Sequence, residues 1–231
     1  MNTPLIQINN INKAYKNEDN DTLALHHVTL NIQEGEFVCI MGPSGCGKST
    51  LLNIAGLLDL PTEGEMIFKG QNVVHLSSKK RAQLRREFIG FVFQSFNLID
   101  DLTVFENIEL PLIYQQVPPN ERKLRVEKMM DQLQISHKKR VFPNQISGGL
   151  QQRVAVARAL VSNPQLILAD EPTGNLDSER GREVMELLQT LNEMGTTILM
   201  VTHSTAASDY ASRVIHLFDG QIVTENLHKG R

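Results

Sequence analysis

The octapeptide Gly42-Pro43-Ser44-Gly45-Cys46-Gly47-Lys48-Ser49 matches G-x-x-x-x-G-K-[ST] and constrains the fold more than any other stretch of the chain. It stands between a short apolar run, Phe37-Val38-Cys39-Ile40-Met41, and a segment from Ser49 to Leu58. In that segment Leu51, Leu52, Ile54, Ala55 and Leu58 recur at helical spacing. The order is therefore strand, glycine-rich loop, helix. Glycines let backbone N–H groups curl around phosphate oxygens, and the following helix presents its positive end to them. In that geometry Lys48 reaches the β- and γ-phosphates and Ser49 ligates Mg2+, with Thr50 beside them in the first helical turn. The competing reading is a glycine turn ahead of a core helix. Alone, the loop predicts a nucleoside triphosphate and nothing narrower.

Composition sets the frame around this loop. At roughly 150 residues per domain, a chain of 231 residues has room for one large domain or two small ones. Hydrophobic residues make up 41% and charged residues 21%, ordinary values for a globular protein that buries its own core. The net charge of −3 excludes polyanion binding by bulk electrostatics, so no nucleic-acid partner is expected. Cys39 and Cys46 form no metal-type spacing and no disulfide framework, which predicts a reduced, cytosolic setting. The first residues, MNTPLIQINN, lack the pattern of a signal peptide. No apolar run approaches the ~20 residues that span a bilayer. At a membrane, another chain is expected to do the spanning.

Along the rest of the chain, strands and helices alternate. Leu5–Ile8, Val28–Ile32, Glu65–Phe68, Ile89–Phe93, Leu166–Ala169 and Thr197–Val201 read as strands, and Ser77–Glu87 and Ser178–Met194 as helices. Leu102 to Leu160 reads as mostly helical, broken at Val117-Pro118-Pro119 and Phe142-Pro143. Val214–Phe218 and Ile222-Val223 flank Asp219-Gly220, a hairpin signal. This order predicts an α/β fold with a mainly parallel sheet, the helical middle being an inserted lobe. The basic run Lys79-Lys80-Arg81 with Arg85-Arg86 reads as a solvated helix face, with anionic lipid or nucleic acid as the alternative.

Two further stretches carry chemistry. The apolar strand Leu166–Ala169 delivers Asp170 and Glu171 at its end. Beside a phosphate loop, Asp170 is expected to hold Mg2+ through water and Glu171 to activate the attacking water; the alternative is a helix cap. Ile146-Ser147-Gly148-Gly149-Leu150-Gln151-Gln152-Arg153 precedes a helix through Val154 to Leu160, so Ser147 and two glycines expose a second nest of N–H groups to an anion. Taken in order, these motifs resemble the ABC transporter ATPases, whose signature is Leu-Ser-Gly-Gly-Gln. The resemblance runs through Asp170-Glu171-Pro172-Thr173-Gly174-Asn175-Leu176-Asp177 and covers nearly the whole chain.

That resemblance implies a P-loop ABC-type nucleotide-binding domain with a parallel core sheet, an antiparallel β subdomain and a helical lobe. It implies one domain over residues 1–231, with the core and β subdomain in about 1–94 and 161–231 and the helical lobe in about 95–160. By the same resemblance Tyr15 stacks on adenine, although a lone tyrosine is otherwise a core or surface residue. Gln94 senses Mg2+ and the γ-phosphate, and His203 is the switch histidine; with Glu171 they form the catalytic set. Ser147, Gly148, Gly149 and Gln151 meet the nucleotide of a second subunit, and Asp177 crosses between subunits. Leu150 departs from the pattern, standing where the family usually has glutamine. Cys46 is read as a small residue that fits the loop, an oxidisable thiol being the alternative.

The implied activity is ATP hydrolysis with Mg2+, driving closure of a homodimer on ATP binding and powering a separately encoded integral membrane permease. The chain would sit in the cytoplasm, peripheral to the inner membrane, with the surface around Gln94 to Thr103 receiving the permease; its apolar members could equally be core. Phe91 to Leu98 and Ala169 to Asp177 look most like a bacterial subgroup of lipoprotein-releasing and macrolide- or peptide-exporting ATPases. A soluble ABC ATPase of the iron–sulfur assembly type and a cell-division ABC ATPase are the alternatives.

Overall fold

The computed structural model describes residues 4–16 and 21–227. Its larger sheet has six strands: β3 (Phe37–Met41), β6 (Ile89–Phe93), β7 (Leu166–Asp170), β8 (Thr197–Thr202), β9 (Arg213–Phe218) and β10 (Gln221–Leu227). Their order is β10-β9-β3-β8-β7-β6, and every pairing is parallel except β10 with β9. The central strands read as unbroken apolar runs because they are covered on both faces: every residue of β3 and β8 is buried. At the open end, Asp219 and Gly220 both take positive φ, 50° and 75°, as a two-residue type I′ turn requires.

Alternation along these strands sorts their side chains into two cores. Phe37, Cys39, Ile167, Ala169, Ile198 and Met200 face one side. There they pack with helices α3 (Val104–Tyr114), α4 (Pro119–Gln132), α5 (Gly148–Leu160) and α6 (Ser178–Glu193). Val38, Ile40, Leu166, Leu168, Leu199 and Val201 face the other, against α1 (Lys48–Ala55) and an antiparallel sheet. That second sheet joins β1 (Ile6–Lys16), β2 (Asp21–Ile32), β4 (Glu63–Phe68) and β5 (Gln71–Asn72) in the order β2-β1-β4-β5. Full burial of a Leu, Ile or Phe is worth about 1.5–3 kcal/mol, so the two cores carry most of the stability.

Two expectations need correction. The first strands are much longer than the runs Leu5–Ile8 and Val28–Ile32 predict, because their ladder passes through bulges at Ile8/Ile11, Ile11/Lys13 and Lys13/Ala14. Asn10 and His27, both at φ 50°, break the apolar alternation there without ending the pairing. The helical middle is less continuous than expected. Between α4 and α5 the chain makes only two single 3₁₀ turns, Ser136–Lys138 and Pro143–Gln145, with Pro143 and the Gly148-Gly149 pair delimiting the loop. The basic run does form a helix, α2 (Ser78–Phe88), capped by Ser77 and with none of its residues buried.

One buried polar residue organises the segment that follows β6. Asn107, with no exposed surface, accepts the Ile99 N–H at 2.8 Å and donates to the carbonyls of Ile99, Leu102 and Thr103 at 3.0, 3.0 and 3.1 Å. Asn107→Leu keeps the volume and removes every one of these bonds. It should lower unfolding free energy by about 2–4 kcal/mol, since each stranded buried group costs about 1–3 kcal/mol. Urea titration measures this; a loss below about 1 kcal/mol would show that water takes the place of the amide.

Candidate active site

Parallel pairing brings the site together. In the ladder, Met41 lies opposite Thr202, Asp170 opposite Val201, and Phe93 opposite Asp170. The loop after β3, Gln94 after β6, Glu171 after β7 and His203 after β8 therefore emerge at one edge of the sheet, the usual ligand edge of an open α/β fold. They line a cleft of about 640 Å³ together with Ser44, Gly45, Gly47, Lys48, Ser49, Thr50 and Asp170.

The loop owes its shape to glycines packed against other backbone. Gly47 has φ 103°, and a Cβ there would lie 2.4 Å from the Ala24 carbonyl oxygen. At Gly42 a Cβ would stand 2.1 Å from the Leu217 carbonyl and 2.6 Å from Cys46 Sγ. Cys46 is buried at 5% exposure, so it packs beneath the loop. Pro43 and Ser44 are exposed at the loop's rim. Helix α1 starts directly at Lys48 with no side-chain cap, leaving its first-turn amides to the cleft. The Lys48 ammonium donates to the carbonyls of Gly42 and Pro43, each at 2.8 Å.

Opposite the loop stand two carboxylates. Burial raises the Asp170 pKa above its ordinary value and the Glu171 charge adds to this, while a hydrogen bond with Ser49 and the Lys48 charge work against the rise. Burial, then the same Glu171 charge, pushes the Cys39 thiol up to about 12. Glu171 takes φ 46°, left-handed for a residue with a Cβ. Its N–H donates to the Val201 carbonyl at 3.0 Å, and its own carbonyl accepts the Gly174 N–H at 3.0 Å. Both carboxylate oxygens are engaged, Oε2 by the Thr202 hydroxyl at 2.9 Å and Oε1 by His203 Nδ1 at 2.8 Å. The His203 side chain is 71% exposed and that of Glu171 only 14%. Gln94 donates to Asn175 Oδ1 at 3.3 Å, and Asn175 Nδ2 donates back to the Gln94 carbonyl at 3.0 Å.

The remaining sequence-predicted residues lie outside this cleft. Ser147 is the N-cap of α5 and makes no side-chain capping bond; Gly148 and Gly149 open the helix. Gln151 Nε2 donates to the carbonyls of Pro143 and Ile146 at 3.0 and 3.2 Å, bracing that turn. Leu150 packs against the helical core. Asp177 caps α6, accepting the Arg180 N–H at 3.0 Å, and borders a second cleft of about 420 Å³ shared with Glu171 and His203. Tyr15 is not among the cleft-lining residues. Its hydroxyl donates to Asp59 at 2.9 Å, and Lys13 lies over its ring at 4.8 Å. Ala24 and Thr202 were not singled out as site residues by sequence, although both belong here. Ala24 contributes through its backbone and carries no residue signal, whereas Thr202 could have been found from its place beside His203.

A sequence profile described as ABC transporter matches residues 25–174. The chain is 50% identical over 219 residues to an uncharacterized ABC transporter ATP-binding protein of Methanocaldococcus jannaschii, covering 95% of this chain and 98% of that protein. It is 46% identical over 223 residues to the macrolide export ATP-binding/permease protein MacB of Azoarcus sp., covering 96% of this chain but 34% of MacB. It thus spans about a third of that relative's length. Among solved structures it is similar to the dimeric post-hydrolysis state of the ATP-binding cassette MJ0796 bound to ADP and Pi. The TM-score is 0.91 at 46% identity, covering 98% of this chain and 100% of the other. The chain belongs to the ABC transporter family, and it is an ATPase of the ATP-binding-cassette class.

Gly47→Ala should disable the loop. A side chain at that φ costs about 1–2 kcal/mol before its clash with the Ala24 carbonyl is counted. Thermal unfolding should move down and ATP affinity should fall at least tenfold by calorimetry; an unchanged titration would mean that the loop's shape is not what binds.

Proposed function

We propose that this ATPase closes as a homodimer around ATP and powers a membrane-embedded partner from the cytoplasmic face of the inner membrane. The convergence of Lys48, Ser49, Gln94, Asp170, Glu171 and His203 on one cleft carries the reading. Within it, residues about 1–94 and 161–231 act as the catalytic core and about 95–160 as a helical lobe that bears the Ser147–Gly149 nest. A γ-phosphate draws Lys48 from its two carbonyl partners, exchanging neutral acceptors for an anion. The amides around Gly42–Thr50 hold the remaining phosphate oxygens. Glu171, oriented by Thr202 and His203, accepts the proton of the water that attacks the γ-phosphorus, and ADP leaves. Only as an imidazolium can His203 donate Nδ1–H to Glu171 and Nε2–H to a γ-phosphate oxygen at once, so that contact requires the ring protonated. Tyr15 reaches adenine only on release from Asp59.

The donor set fits Mg2+. Ser49, Gln94 and the half-buried Asp170 present hard oxygens, and the adjacent Glu171 charge, which helps raise the Asp170 pKa, favours a divalent cation beside it. Among the described residues no group of three or more His, Cys, Asp or Glu is placed to hold a metal ion by itself. When bound, Mg2+ would be held by Ser49, Gln94 and, through water, Asp170, and would neutralise charge developing on the phosphates.

The membrane partner has a candidate seat. A groove of about 760 Å³ between α2, β6, α3 and α5 is walled by Phe91, Phe93, Leu110 and Tyr114 and rimmed by Arg86 and Lys79. Tyr114 is 62% exposed, and no helix among the described residues is long and apolar enough to cross a membrane itself. The floor of the groove is tied to the segment after Gln94 by Arg158, which donates to the carbonyls of Phe96 and Asn97 at 2.8 and 2.5 Å. A short amphipathic segment seated there would feel any movement of Gln94. MacB and a 46% identical relative named for pyoverdine export in Pseudomonas fluorescens suggest export as the work done.

Glu171→Gln keeps every phosphate ligand and loses the proton acceptor, typically about 10²–10⁴-fold in rate. The variant should bind ATP, barely hydrolyse it and run at twice the monomer mass in gel filtration only when Mg-ATP is present. Wild-type turnover would remove Glu171 from catalysis, and an inactive monomer would remove the ATP-driven dimer. Co-purification with a membrane protein after detergent extraction tests the transporter role; recovery with soluble partners alone would favour an assembly factor.

A further inference from the structure

Beside the Ser147–Gly149 nest stands a cation that neither the sequence motifs nor the proposed mechanism uses. The Arg180 side chain, rising from the first turn of α6, lies directly over Gly149. A Cβ at Gly149 would meet Arg180 Cδ at 2.7 Å, with Cγ and Nε both at 3.4 Å. Only a glycine lets the arginine stem pack this closely onto the start of α5. The guanidinium is tethered by one weak contact, Nε to Asp177 Oδ2 at 3.4 Å, and the two side chains are 49% and 57% exposed. An exposed pair of this geometry contributes little, so Arg180 is free to exchange its partner.

Three features around it converge. The first turn of α5 carries no acidic residue and no side-chain cap. Position 150, the polar member of the signature in related ATPases, is here a leucine packed against the core. Arg180 therefore holds a side-chain charge against this nest, its stem packed on Gly149. Arginine adds to backbone N–H groups a forked, permanently charged donor suited to a phosphate oxygen.

We infer that Arg180 is a further nucleotide-contacting residue, binding in trans the γ-phosphate that the partner subunit holds on its own Lys48. This rests on the dimer reading above. As the guanidinium turns to the phosphate it leaves Asp177 Oδ2, while Oδ1 keeps its cap on the Arg180 N–H, so nucleotide contact by the signature and loss of this ion pair occur together. The chemistry is that of a nucleoside triphosphate and not a diphosphate, since the outermost phosphate is the one facing the second subunit.

The test uses the Glu171→Gln chain, whose ATP-dependent dimerisation is followed by light scattering across ATP concentrations. Adding Arg180→Gln, which keeps a stem over Gly149 but removes the charge, should raise the ATP concentration for half-dimerisation about tenfold, the worth of one charge-assisted bond. Adding Arg180→Lys instead should restore most of the loss. Binding of ATP to the monomer, measured in chains carrying Ser147→Arg to block closure, should be the same with and without Arg180→Gln. ADP should dimerise none of these chains. An unchanged half-point for both Arg180→Gln and Arg180→Ala would overturn the inference while leaving the dimer intact. A lysine variant no better than glutamine would reduce Arg180 to packing and overturn it equally. Failure of the Glu171→Gln parent to dimerise with ATP would instead overturn the dimer reading, and this inference with it.

Discussion

Parallel pairing of β3 with β8, in register from Phe37–Ile198 to Met41–Thr202, governs where every reactive group ends up. Parallel strands begin at one edge of a sheet and end at the other, so loops that follow them share an edge however far apart they lie in sequence. Gly42 and His203 are neighbours for this reason. β7 adds Asp170 and Glu171 beside them, and β6 adds Gln94. The strands hold that register because their faces are committed. A slip of one residue would turn Val38 and Ile40 toward the helical side and Phe37 and Cys39 toward the antiparallel sheet, exchanging two differently shaped cores.

Sequence reading located the elements that obey one local rule. β3 and β6 were bounded to the residue, because each is a short apolar run closed by a polar or glycine signal. The phosphate loop was legible for the same reason: its demands on glycine and lysine are local. What was not legible depends on distant backbone. The length of β1 and β2 is hidden by bulges at Asn10 and His27, where pairing continues although the pattern does not. The bond from Thr202 to Glu171 spans two strands that only the fold makes adjacent. Tyr15 illustrates the opposite case. Its position in the order of motifs suggests a nucleotide contact, yet the side chain is held by Asp59. Burial opposes that carboxyl's ionisation, but hydrogen bonds from Lys13, the Leu60 N–H and Tyr15 itself keep its pKa below the ordinary value.

Glu171 sits at a conformation that only the surrounding strands make tenable. A left-handed residue with a Cβ costs about 1–2 kcal/mol, and four hydrogen bonds to its backbone and carboxylate hold it there. The benefit is positional. The left-handed turn swings the carboxylate off the strand axis, away from Asp170, so that neighbours in sequence face different tasks. Asp170 stays near Ser49 and Lys48, while Glu171 turns to Thr202 and His203. Two like charges on consecutive residues are thereby separated in role, though the Glu171 charge still disfavours ionisation of Asp170.

The same geometry bears on the proposed dimer, in which one chain would not complete its own site. The nest at Ser147 begins α5, and α5 is pinned along its length: Val154, Ala155, Val156 and Ala157 are fully buried, and Gln152 donates to the Pro172 carbonyl at 2.8 Å. Swinging the nest onto its own phosphate loop would strip that helix from the core, at several times the stabilisation of any one phosphate contact. Ser147, Gly149 and Asp177 consequently face outward, while Lys48 and Glu171 line the cleft. In the dimer proposed above, a second copy related by two-fold symmetry would supply what each lacks and would need no such rearrangement. ATP would then serve as the bond between subunits, its outer phosphate held by the loop of one chain and the nest of the other. Hydrolysis would remove that shared anion without disturbing either fold, so the proposed interface would open while each chain stays intact.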